Sequence, residues 1–260
     1  MDYQDIIFTL EDNNIGVITL NRQEDRNALT TLMRGEITHA VAQAPRLGAR
    51  VLVITGQGDV FCTGQDLGTQ PSVAHLDLEG VLREETEPML REIYGSSIPT
   101  IAAVNGTAAG IGASLALAAD IVIAKEGAEF VQAFSRLGLI PEGGSTWILP
   151  RQVGLARAMG AALLGEAISA KKAADWGMIL EATAKSRFEA RVRDVAEKMG
   201  NGPTEAYRLT KDAIRSSFEN SLDDQLDLEG ASQGAAAQTF DFKEALFAFL
   251  EKRPPRFEGR

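Results

Sequence analysis

Ile6 to Leu10 and Ile15 to Leu20 are short runs rich in residues that favour strands. Glu11-Asp12-Asn13-Asn14 separates the two runs, a pattern that predicts a β-hairpin. After a polar loop, Arg22 to Asn27, the pattern changes. Thr30 stands where a helix cap belongs, and Leu32, Met33, Ile37, Ala40, Val41 and Ala44 then recur at helical spacing until Pro45 and Gly48. Val51 to Thr55, Ile101 to Val104 and Ile121 to Ala124 are short, nearly continuous apolar runs and predict buried strands. The first two run into glycine-dense loops, Gly56 to Gly68 and Asn105 to Gly112. Ala113 to Ala119 carries no charge and predicts a helix buried on every side.

Beyond residue 140 the strand pattern is expected to stop. Helical spacing runs through Leu155 to Leu164, Ala170 to Trp176, Phe188 to Met199, Pro203 to Phe218, Leu222 to Gln233 and Asp241 to Lys252. Pro203 suits a first helical residue, and Asp241 and Glu244 have capping-box spacing. The recurrence of strand, loop and helix suggests repeated ββα units around one core, residues 1–195. An all-helical region, 196–260, rich in Leu, Phe and Ala, is expected to pack on another subunit.

Composition narrows the partners. With 260 residues, 45% of them hydrophobic, the chain can bury a large core. A net charge of −10 argues against nucleic acid or an anionic membrane as the main partner. The lone cysteine, Cys62, excludes an internal disulfide and suits a reducing compartment. The acidic N-terminus resembles no signal peptide, and no uncharged run is long enough to span a bilayer, so a soluble, cytoplasmic protein is expected.

The glycine loop before the buried helix is the place to look for chemistry. Gly110 and Gly112 permit close backbone approach, and the first N–H groups of the helix have no partner within it. No Lys follows Gly112, which excludes a phosphate-binding P-loop, and Leu115 breaks the dinucleotide-binding glycine pattern. A serine nucleophile at Ser114 would need a later histidine, yet His39 and His75 both precede it. An oxyanion hole made of backbone amides remains, and its second donor is sought in Gly56 to Gly68. In that loop Cys62 reads better as a small buried hydrophobe than as a nucleophile, and Asp66 as a residue that hydrogen-bonds its own loop. Glu84, Glu85 and Glu87 read as a solvated helix face rather than metal ligands, and no metal is expected.

Two spaced motifs carry a resemblance: Gly58-x-x-Phe61-Cys62-x-Gly64-Gln65-Asp66-Leu67, and Ala103-Val104-Asn105-Gly106-x-Ala108-x-Gly110-x-Gly112. Both are similar to the crotonase family of enoyl-CoA hydratases and isomerases, and the similarity extends from Leu20-Asn21-Arg22 to Phe249-x-x-Lys252-Arg253. The resemblance implies an α/β spiral of ββα units with a helical C-terminal tail, assembled as a homotrimer or homohexamer. It implies an acyl-CoA thioester as substrate, with coenzyme A a part of that substrate rather than a cofactor. By motif position the amides of Gln65 and Ile111 would hold the thioester oxygen. Cys62, Gly64, Gln65, Asp66 and Leu67 would line the CoA adenine, and Lys252 would meet the CoA phosphates.

The departures from the family pattern separate its branches. Hydratases of the family carry two glutamates that manage water, at the positions held here by Ser114 and Phe134, and neither replacement ionises near neutral pH. Instead Glu142 stands in Leu139-Ile140-Pro141-Glu142-Gly143-Gly144, a setting that should raise its pKa toward that of a useful base. The segment from Phe130 to Gly160 is similar to the isomerase branches acting on 1,2-epoxyphenylacetyl-CoA and on Δ3-enoyl-CoA, which belong to phenylacetate and fatty acid catabolism. The expectation is therefore an acyl-CoA isomerase with Glu142 as its single base. The alternatives are a hydratase with relocated acids, for which Asp66 is the other candidate, and a non-catalytic acyl-CoA-binding or scaffold protein. Determinants of the acyl group are expected in Val73 to Tyr94.

Overall fold

The structure is a computed structural model that describes residues 2–66, 68 and 77–260. Its frame is two β-sheets wound by the same repeated step. The hairpin of β1 (Ile6–Glu11) and β2 (Ile15–Leu20) begins a six-stranded sheet, which continues through β3 (Val51–Gly56), β5 (Thr100–Val104), β7 (Ile121–Lys125) and β10 (Glu181–Thr183) in that order. From β2 onward all neighbours run parallel. A second, four-stranded sheet stacks β4 (Val60–Cys62), β6 (Thr107–Ala109), β8 (Glu129–Val131) and β9 (Ala167–Ser169). Of the large sheet's strands, β3, β5 and β7 are each followed by a short strand of the small one and then by helix. The ββα repetition is a spiral in which successive turns stack in register.

The predicted capping holds at α1 (Thr31–Gln43), where the Thr30 side chain accepts the Met33 amide and Met33, Ile37, Ala40 and Val41 face the core. The corners of the spiral are sewn by two buried asparagines. Asn105 donates to the carbonyls of Gly56 and Gly58 and accepts the Gly56 amide, and Asn27 donates to the carbonyls of Gln57 and Val60. A side chain at Gly106 would overlap the Asp59 carbonyl, so only glycine lets these turns stack.

Three expectations need correction. Strands do occur after residue 140: β9 and β10 are three-residue edge strands, too short to show a period and too exposed to need an apolar run. The last helix, α11 (Phe240–Leu250), is capped by Thr239 and not by Asp241. Asp241 is buried and accepts the amides of Glu258 and Gly259, fastening the tail that follows the helix. Finally, the acidic run is not simply a solvated face. Glu84 is exposed, but Glu85 pairs with Arg34, which is fully buried.

That run lies in a continuous helical path of α2 (Leu78–Val81), a π-turn (Leu82–Thr86) and α3 (Glu87–Tyr94), with Pro88 in the first turn of α3. Beyond α4 (Ile111–Leu117) and β8 come α5 (Ser145–Val153), α6 (Leu155–Leu164), α7 (Ala170–Asp175) and α8 (Phe188–Gly200), the last laid on the large sheet. Of the three helices that close the chain, α9 (Thr204–Ser216) is anchored to the spiral by Lys211 and Arg215, each 2.7 Å from the Asp120 carboxylate. On α10 (Leu222–Ala236) and α11, Leu222, Leu226, Leu246, Phe247, Phe249 and Leu250 are exposed in the single chain.

Candidate active site

The two glycine loops meet at the start of α4. Gly64 has φ +103°, and a Cβ built on it would stand 3.0 Å from the Ala109 carbonyl oxygen and 3.6 Å from the Ile111 nitrogen. Only a residue without a side chain brings the first loop this close to the second. The next residue, Gln65, pairs with Leu29 as a parallel bridge, in which Leu29 donates to the Gly64 carbonyl at 2.7 Å and Asp66 donates to the Leu29 carbonyl at 3.1 Å. Strand alternation turns the Gln65 N–H away from Leu29.

Gly110 supplies the other limb. With φ +52° and ψ −128° it turns β6 sharply into α4, while its amide donates to the Val131 carbonyl at 2.8 Å. The Gly110 carbonyl accepts the Ala113 and Ser114 amides, so the Ile111 N–H lies ahead of the first helical hydrogen bond and is free of the helix ladder. Gly112 holds this corner against the small sheet, since a Cβ on it would fall 2.8 Å from the Cys62 sulfur. The Gly64–Gln65 end of the first loop is therefore brought against the Gly110–Ile111 corner of the second.

The loop residues proposed to line an adenine have distinct surroundings. Cys62 is fully buried behind Gly112, and burial pushes its thiol up to about 12, so it is an inert hydrophobe whose side chain faces inward. Asp66 accepts from Arg22 at 2.8 Å and from the Gly68 amide at 2.8 Å. Leu67 and His75 lie outside the described residues, as does the start of the stretch from Val73 to Tyr94. Lys252 is exposed just past the end of α11, with φ +55°. The tail behind it is tied to the far end of the large sheet, where Arg50, which precedes β3, donates to the Phe257 carbonyl at 3.0 Å.

Glu142 comes from the turn between β8 and α5. Gly143, with φ +63°, lets this turn press on α3 and α4, where a Cβ would meet Ser114 Cβ at 2.8 Å and Leu90 Cδ1 at 2.9 Å and would overlap the Ile111 side chain. The buried Ser114 hydroxyl lies 2.9 Å from the Glu142 carbonyl and 2.8 Å from the Ser145 hydroxyl, which fixes the turn to α4. The Glu142 carboxyl is half-buried, and burial raises its pKa, with the Arg34 guanidinium offsetting part of the rise. Phe134 is buried with its ring next to Gly110, 3.7 Å from where a Cβ would stand. No hydroxyl or ring at positions 114 and 134 can serve as a carboxylate pair.

Arg34 and Ser145 had no signal in the sequence. Arg34 falls in an amphipathic helix where an arginine ordinarily faces water, and it is 1% exposed. Ser145 sits in a motif read only for its acid. Among the described residues no group of His, Cys, Asp or Glu is placed to hold a metal ion, and no helix is long and apolar enough to cross a membrane.

The two glycine loops thus meet next to a turn that carries a partly desolvated carboxylate, Glu142. The chain belongs to the enoyl-CoA hydratase/isomerase family, whose profile matches residues 11–260. It is 50% identical to a Rhodobacter capsulatus protein named "probable enoyl-CoA hydratase", over the full length of both chains. It is also 41% identical to the 1,2-epoxyphenylacetyl-CoA isomerase of Escherichia coli, covering 98% of this chain and 99% of that one. Among solved structures, the enoyl-CoA hydratase of Bacillus anthracis superposes with a TM-score of 0.92 at 31% identity, over 99% of this chain and 100% of that one. The fold is the crotonase spiral with a helical C-terminal tail, as expected, and the chain is an enzyme of this hydratase/isomerase family.

Proposed function

We propose that the protein is an acyl-CoA isomerase in which Glu142 moves a proton between two carbons of a thioester held by the Gln65 and Ile111 amides. The amides would polarise the thioester carbonyl and stabilise the enolate-like transition state. Removing one such donor typically costs about 2.7–4 kcal/mol, which makes the pair the largest single catalytic contribution. Glu142 would accept the proton from one carbon and return it to another, leaving atoms and charge balanced. The observation that carries the reading is the half-buried Glu142 carboxyl, with its pKa raised, on a turn packed against Ile111. The two positions where hydratases hold water-managing acids contain Ser114 and Phe134.

The adenine is assigned to the loop from Cys62 to Leu67, through backbone and the side chains of Gln65 and Asp66. Lys252 is assigned to the CoA phosphates, and a homotrimer or homohexamer would form through the exposed apolar faces of α10 and α11. The E. coli relative's substrate and the Δ3-enoyl-CoA thioesters are the two acyl classes to try first. The name of the R. capsulatus relative favours a hydratase as the second reading. One panel separates them: hydration of crotonyl-CoA, double-bond migration in Δ3-enoyl-CoA, and rearrangement of 1,2-epoxyphenylacetyl-CoA. Isomerisation without appreciable hydration is the expected result. Hydration at an ordinary enzymatic rate, about 10 s⁻¹ or more, would overturn the isomerase reading. Binding without turnover of any member would leave a non-catalytic acyl-CoA protein.

A further inference from the structure

Arg34 is buried to 1% exposure in α1, a helix whose other inward residues are mostly apolar, and a buried guanidinium is costly unless every donor is used. Its contacts converge on the active site. Nη1 donates to the Leu29 carbonyl at 3.0 Å and to Gln65 Oε1 at 2.8 Å. Leu29 and Gln65 are the two partners of the bridge that aims the Gln65 amide. Arg34 therefore grips both sides of the one contact that orients this limb of the amide pair. On its other edge Nε donates to Glu85 Oε2 at 3.0 Å, with Nη2 on the same oxygen. Thr31 donates to Glu85 Oε1 at 3.2 Å. Glu85 reaches this position from the π-turn Leu82–Thr86, a backbone irregularity often found beside functional groups.

The same guanidinium is the charge that acts on Glu142. The elements packed on the Glu142 turn bring Leu90 from α3, Ile111 and Ser114 from α4, and Ser145 from α5. Glu87 and Arg91 of α3 pair with each other at the surface, and Arg151 of α5 lies over the Trp147 ring. The Cys62 thiol behind Gly112 stays protonated.

We propose that Arg34 is a positioning residue for catalysis: it locks the Gln65 limb of the oxyanion pair, while Glu85 neutralises it and so limits its pull on the Glu142 carboxylate. This rests on the oxyanion pair and base named under the proposed function. Loss of Arg34 loosens the Gln65 amide and removes a cation from the neighbourhood of Glu142. Loss of the Glu85 charge leaves the grip on Gln65 in place but exposes Glu142 to an uncompensated cation. Only the first change loosens the Gln65 amide, whereas a merely structural ion pair would be broken alike by both.

The test uses the full-length protein and two readouts that need no turnover. A cinnamoyl-CoA thioester bearing a para-dimethylamino group absorbs further to the red as its carbonyl is polarised. The parent should red-shift it. Arg34→Met should lose at least half of that shift with Kd changed less than about threefold, Arg34→Lys should recover part of it, and Glu85→Gln should keep it. Isotope-edited infrared titration of the Glu142 carboxyl, assigned by its disappearance in Glu142→Gln, should give a higher midpoint in Arg34→Met and a lower one in Glu85→Gln. A parent-like red shift in Arg34→Met, or midpoints that do not separate, would overturn the inference and leave the proposed function standing. A parent that binds the probe with no red shift would overturn the oxyanion pair and this inference with it. If circular dichroism shows Arg34→Met to be unfolded, Glu85→Gln and Arg34→Lys decide the matter. An unmoved midpoint in the first and a parent-like red shift in the second would then overturn it.

Discussion

The two halves of the site are made of different material. The corner proposed to hold the oxyanion is backbone: Gly64, Gln65, Gly110 and Ile111 are placed by strand pairing and by φ angles that glycine allows. The Glu142 turn carries a side chain whose pKa is raised by burial and partly lowered by Arg34, while Ser114 holds its backbone carbonyl. A fold that offers paired amides fixes which atom of a substrate is polarised. The acid on the facing turn decides what then happens to its protons. One spiral can thus serve several reactions by changing residues at positions such as 114, 134 and 142 without moving the corner.

The sharpest way to break this division is to remove the acid and leave the corner intact. Glu142→Gln keeps the side-chain volume but cannot take a proton from carbon, so turnover should fall about 10²–10⁴-fold. Solvent deuterium exchange at the carbon next to the thioester, followed by NMR on a bound acyl-CoA, reads the step directly. Binding of the thioester should be retained. Parent-like exchange in the variant would place the base elsewhere.

The reverse experiment damages the corner and spares the acid. A methyl group at Gly112 would collide with the carbonyl and sulfur of Cys62, so Gly112→Ala must shift α4 and with it the Ile111 amide. The expected loss is that of one oxyanion donor, about 10²–10³ in kcat. Glu142 keeps its carboxyl, although its turn rests on the shifted helix through Ser114. A variant as active as the parent would show that the Ile111 amide is not a donor.

Smaller still should be the effect of Ser145→Ala. It removes the hydroxyl that braces Ser114 beneath the Glu142 carbonyl, while Ser114 can still donate to that carbonyl. Loss of one neutral hydrogen bond is worth about 1 kcal/mol, or roughly a fivefold drop in kcat, with KM little changed. Steady-state kinetics on the substrate identified by the panel measures it.

These unequal parts were also unequally legible. The corner could be read because glycines at fixed spacing after apolar strands report backbone geometry, and Gly58 to Asp66 with Asn105 to Gly112 carry that spacing in one dimension. Glu142 stood out as a charge in an apolar and glycine-rich stretch. Arg34 and Glu85 did not, since an arginine in a helix and a glutamate in an acidic run both have exposed surfaces as their usual setting. Their 51-residue separation is closed only by packing of α1 on the helical path after the first loop. The short strands β9 and β10 were hidden for a related reason: edge strands of three residues are specified by the neighbour they pair with, not by their own pattern.

The smallest predicted effect has the opposite sign to the first. In the folded protein burial raises the pKa of Glu142 above its ordinary value, so the charged form is disfavoured there relative to the unfolded chain. For a group with its folded pKa raised, the stabilising contribution is complete below the unfolded pKa, about 4.3 for Glu, and is lost as pH rises through the folded pKa. At neutral pH the parent therefore bears the cost of a partly desolvated carboxylate, eased by Arg34. Glu142→Gln carries no such cost. Its melting temperature should exceed the parent's at pH 7 to 8, and the gap should narrow as pH falls through the folded pKa toward about 4. Thermal melts of both proteins across that range read the difference. A variant that melts below the parent at pH 7 would mean that Glu142 is held by favourable contacts in its charged state. The raised pKa, and with it the case for Glu142 as a base poised for proton transfer, would then fail.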